Sequence, residues 1–73
     1  MHAPRHVRVF YCTSEVRSLM LELPMDGLLQ QGSTILSTHE FEYLRNRLLS
    51  GRCARIDGPD CWFEYEIVGA AAA

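Results

Sequence analysis

The sequence contains no lysine; its seven basic residues are all arginine, at positions 5, 8, 17, 45, 47, 52 and 55. Set against nine acidic residues they leave a formal net charge of -2. That balance argues against a broad phosphate-binding surface of the kind that dominates non-specific nucleic-acid affinity. A local patch stays compatible with it, because guanidinium is a planar, weakly hydrated fork suited to carboxylates, phosphates and aromatic faces. Arginine, alanine and glycine all have GC-rich codons, so nucleotide composition is one reading of the bias.

There is no CxxC pair. Cys12, Cys53 and Cys61 form an odd set whose spacing is not that of a zinc module, even with His39 as a fourth ligand, so they are expected to be small half-buried hydrophobes in a reduced cytoplasmic chain. The first residues lack the basic-then-apolar layout of a signal peptide, and no apolar run reaches membrane-spanning length. Glycine-rich phosphate loops, HExxH and nucleophile-elbow spacing are absent too. His2 and His6 fall in a polar lead and His39 near a helix start, where a solvated or locally hydrogen-bonded role outweighs that of a general base. The expectation is a protein that is not an enzyme and carries no cofactor or metal.

What the sequence does hold is enough for one modest core. Apolar residues make up 48% of 73 residues, and a chain of this length buries only roughly 60% of its unfolded surface. "MHAP" (1–4) reads as a flexible lead, 5–68 as a single domain, and 69–73 as an alanine-rich tail with little to bury. "HVRVFYC" alternates Val7, Val9 and Tyr11 with Arg8, Phe10 and Cys12, a strand pattern. In "EVRSLMLEL" the alternation places Arg17, Leu19, Leu21 and Leu23 on one face, expected to meet the core in an antiparallel hairpin that Pro24 ends. "PMDGLLQQGST", with Asp26-Gly27 and Gly32, reads as a linker with at most a brief strand or one helical turn.

Ser37 and Glu40 have capping-box spacing. From Thr38 to Ser50, Phe41, Leu44 and Leu48 share a helical face, Leu49 widens it, and Gly51 supplies the stop, while Glu42, Arg45, Asn46 and Arg47 face water. A second hairpin turns at Gly58-Pro59, setting Ile56 opposite Cys61, Arg55 opposite Trp62, Ala54 opposite Phe63 and Cys53 opposite Glu64. Ile56, Ala54, Phe63, Tyr65 and Ile67 then pack under the helix, and Arg55, Trp62, Glu64 and Glu66 point away. The fold class is α+β: a small antiparallel sheet of two β-hairpins with one helix on one face, in the order β-β-α-β-β.

An outward tryptophan beside arginine on so small a domain marks a candidate docking surface, since Trp and Arg are the residue types most often found as energetic anchors of protein interfaces. The candidate partner-binding residues are Arg5, Arg8, Arg17, Arg52, Arg55, Trp62 and Glu64. In length, hairpin-helix-hairpin layout, all-arginine basic set and "GAAAA" tail, the chain resembles the very small transcription regulators encoded by lytic phages of GC-rich bacteria, of the type that acts on host RNA polymerase in Xanthomonas infections. A monomer is expected, and the resemblance implies a regulator that acts in the host cytoplasm without catalysis. It would dock near the N-terminus of the polymerase β′ subunit and the RNA exit channel, inhibit promoter-dependent initiation and promote antitermination, with RNA contact left open. The alternatives are a direct RNA- or DNA-binding module and an inhibitor of another host complex.

Overall fold

The computed structural model describes residues 5–68; the expected lead and tail lie outside the described residues. The first hairpin forms as its alternation dictates, with β1 at His6–Cys12 and β2 at Arg17–Pro24. Its turn is closed by Thr13, whose N–H donates to the Val16 carbonyl at 2.9 Å and whose hydroxyl accepts from the amides of Glu15 and Val16. Two helices follow, α1 at Met25–Ile35 and α2 at Thr38–Leu49, and then β3 at Ala54–Asp57 and β4 at Trp62–Val68. The strands form one antiparallel sheet in the order β2-β1-β4-β3. Val7, Val9, Ala54, Ile56 and Tyr65 of the sheet pack against Met25, Leu28, Leu44 and Leu48 of the helices.

The order is therefore β-β-α-α-β-β rather than β-β-α-β-β. The stretch read as a linker is an eleven-residue helix. Its two glycines resemble turn points, yet Met25, Leu28 and Gly32 lie at helical spacing and all three are buried. Gly32 serves close packing, since a Cβ at this position would stand only 3.3 Å from the Phe41 ring. Pro24, at φ -58°, sits immediately before the helix, where a fixed φ and a missing N–H cost nothing.

A second correction concerns the leucine face. Val9 pairs with Leu21 but Phe10 pairs with Leu19, so the register shifts and Met20 is left as an extra residue. Side chains alternate faces with a period of two, and one inserted residue turns everything before it over. Leu21 and Leu23 thus meet the core as expected, whereas Leu19 and Arg17 move to the opposite face, and Leu19 is 54% exposed.

The second hairpin also departs from expectation by two residues. Gly58 N–H donates to the Cys61 carbonyl at 2.7 Å, which closes a longer loop, so Arg55 pairs with Glu64, Ile56 with Phe63, and Asp57 with Trp62. Because the slip is an even number, every side chain keeps the face assigned to it. Cys53 precedes β3 and does not pair with Glu64.

The helix from Thr38 starts on the capping box: Ser37 Oγ accepts the Glu40 N–H at 3.2 Å and Glu40 Oε1 accepts the Ser37 N–H. Gly51 follows at φ +79°. Two side chains differ from the reading, because Leu49 is exposed and does not widen the core face, while Arg47 folds back to donate from Nε to the Cys53 carbonyl at 2.8 Å. Ser37→Ala removes one side of the cap and is expected to lower stability by about 1 kcal/mol in a urea melt. An unchanged midpoint would mean that the cap contributes nothing to the folded state.

Candidate protein-docking face

Both helices lie on one side of the sheet, so the strand positions of opposite parity form an uncovered face. At one end of that face, Arg17, Cys12, Trp62 and Asp57 follow one another across the four strands. The next row is Leu19, Phe10, Glu64 and Arg55, and beyond it come Glu22, Arg8 and Glu66. The bulge at Met20 brings Arg17 and Leu19 here.

Trp62 is fixed from two sides. Its Nε1–H donates to Glu64 Oε2 at 2.9 Å, and the Arg55 guanidinium stands 4.3 Å above its ring. Arg55 Nε in turn donates to Asp57 Oδ1 at 2.7 Å. On the other side of Glu64, Arg17 Nε donates to Oε1 at 2.8 Å while its guanidinium lies 3.7 Å from the centre of the Phe10 ring. The result is two guanidinium-over-aromatic stacks flanking one carboxylate that bonds to both Arg17 and Trp62. Cys12 lies buried beneath, and burial first, then the Glu64 charge, push its thiol pKa up, so it is held as an unreactive thiol.

The hydrogen bond from Arg17 and then that from Trp62 hold the Glu64 carboxyl below the usual carboxylate range. A depressed folded-state pKa contributes stability that is complete above the unfolded carboxylate value and is lost as pH falls through the folded one. The pair is partly exposed, so the contribution is small. In urea melts taken from neutral to acidic pH, Glu64→Gln is expected to lose less stability on acidification than the parent. Parallel curves would show that Glu64 has no part in acid sensitivity.

The sequence-predicted residues divide into two groups. Arg17, Arg55, Trp62 and Glu64 form the cluster, and Arg8 shares the face but pairs with Glu22 at 3.0 Å, next to His6 at 3.6 Å from the same acid. Arg5 and Arg52 belong elsewhere: the Arg5 guanidinium lies by Gly51 and the Arg52 N–H bonds the Arg47 carbonyl, both at the end of α2. Phe10 and Asp57 were not assigned to the site from sequence. Phe10 alternates with Val9 and so was legible as outward-facing, but its contact with Arg17 depends on the bulge. Among the described residues, no group of three or more His, Cys, Asp or Glu side chains is placed to hold a metal ion, and no helix is long and apolar enough to cross a membrane. No protein family, curated protein or solved structure matches the chain.

Proposed function

We propose that the chain is a non-enzymatic binding protein of the cytoplasm that docks on a larger protein through the uncovered sheet face, and that this partner is bacterial RNA polymerase. The single observation behind the docking mode is Trp62 held in place by Glu64 and Arg55 on a face that no element of the described fold covers. An aromatic anchor whose rotamer is already fixed loses little conformational entropy on binding, and neighbouring arginines supply directional donors to a partner carboxylate or backbone. About 800 Å² from this side makes a standard interface, within reach of so small a domain. The choice of polymerase comes from the likeness in length, layout and composition to small phage regulators, and with it come inhibition of initiation and antitermination.

The charge pattern of the face favours protein over nucleic acid. Arg8, Arg17 and Arg55 are interleaved with Glu22, Glu64, Glu66 and Asp57, so the carboxylates would repel a phosphate chain. The test is a titration of fluorescently labelled protein with polymerase core enzyme and, separately, with single-stranded RNA over a range of salt. Saturable binding to polymerase with weak RNA binding is expected. Tight RNA binding that collapses steeply with salt, and none to polymerase, would replace this reading with that of an RNA-binding module.

A further inference from the structure

The helix-bearing side of the sheet is incompletely covered. A groove of about 380 Å³ opens where α1 ends, and its floor crosses all four strands through Leu21, Val9, Phe63, Tyr65 and Ile56. Leu28 and Leu36 wall it on the helical side. Met20 and Ile35 form its two lips and are 51% and 76% exposed. Large apolar side chains this accessible, converging on one apolar floor, mark a binding groove rather than scattered surface.

Glu40 and Asp57 are the charged residues that border the groove. The Asp57 carboxylate bonds Arg55 on the uncovered face of the sheet, whereas Glu40 has no arginine or histidine within ion-pairing distance among the described residues. The Glu40 charge acts on Tyr65 in the groove floor, whose phenol is pushed up by burial and secondarily by that charge. No arginine lines the groove.

We infer that this groove takes an amphipathic helix from a protein partner, apolar along one stripe and carrying a lysine or arginine placed to meet Glu40. A helix fits because the same sheet face is already covered by helices, and one more completes the layer. The floor spans three interstrand spacings, roughly 14 Å, which is the length of about ten helical residues. An added β-strand suits the site less, because the bulge at Met20 in the β1–β2 ladder bends β2, the edge strand on that side. A second copy docked groove to groove would bring a second Glu40 to the interface and no groove arginine to meet either one. The groove faces away from Trp62 and its occupancy is independent of the docking face proposed above.

The probe is a displayed library of helical peptides about fourteen residues long, selected on the protein and remeasured by calorimetry. The expected consensus has apolar residues at i, i+4 and i+7 flanked by lysine or arginine. Ile35→Glu and Met20→Glu, both at exposed positions and checked for folding by circular dichroism, are expected to weaken the selected peptides about tenfold or more. Glu40→Gln should flatten the salt dependence of binding, and Trp62→Ala should leave it unchanged. A neutral or acidic consensus, or affinities indifferent to both groove variants, would overturn the inference. So would a dimer in sedimentation that Ile35→Glu splits, which would assign the groove to a second copy.

Discussion

Leu44→Ala is expected to lose about 2 to 5 kcal/mol of stability, a large share of what holds this domain folded. Leu44 is 0% exposed and stands in the middle of the α2 face that meets the sheet. Truncating a fully buried leucine costs about 2 to 5 kcal/mol, through lost transfer energy and the cavity left behind. A domain of this length holds roughly 4 to 11 kcal/mol in total, so the upper half of that range is enough to unfold a marginal one. Leu49→Ala is the internal control, since the same chemistry at an exposed neighbour should change stability by less than about 0.5 kcal/mol. Urea melts followed by circular dichroism measure both. If the two variants melt together, α2 does not pack on the sheet as described.

The second large effect is on binding. Trp62→Ala is expected to remain folded, because the side chain is only half-buried and the core residues beneath the helices lie on the other side of the sheet. Its loss removes the stack with Arg55, worth roughly 0.5 to 1 kcal/mol at an exposed site, and the bond to Glu64. Binding to the partner should weaken by about 2 kcal/mol or more, roughly thirtyfold, as at an interface hot spot. Arg55→Ala should be milder, acting on the association rate and its salt dependence, because this guanidinium lies toward the rim and already pairs with Asp57. Circular dichroism is the check that the variant keeps its sheet.

How much of this could be read from the sequence depends on whether the signal was local. The capping box at Ser37 and Glu40, the stop at Gly51 and the alternation of β1 each rest on neighbouring residues, and the structure places them as read. The α1 helix was hidden because Gly27 and Gly32 suggest turns, while the reason for Gly32 is the Phe41 ring from the next helix, a contact no local pattern contains. The bulge at Met20 was hidden likewise: "LML" alternates equally well with or without an extra residue, and pairing with β1 is what selects the shift. The outward placement of the residues around Trp62 was unaffected by either difference. The slip in the second hairpin was even, so Trp62, Glu64 and Arg55 stayed outward, and the bulge added Arg17 to them. Arg5 and Arg52 lie apart from this cluster because their place was inferred from residue type alone, and the chain carries them to the end of α2.

The measurement that tests the central claim most directly is the titration of labelled wild-type and Trp62→Ala protein with RNA polymerase core enzyme, both shown folded by circular dichroism. The account predicts saturable binding by the wild type and affinity lower by roughly thirtyfold or more in the variant. A folded Trp62→Ala protein that binds the polymerase as tightly as the wild type would contradict it.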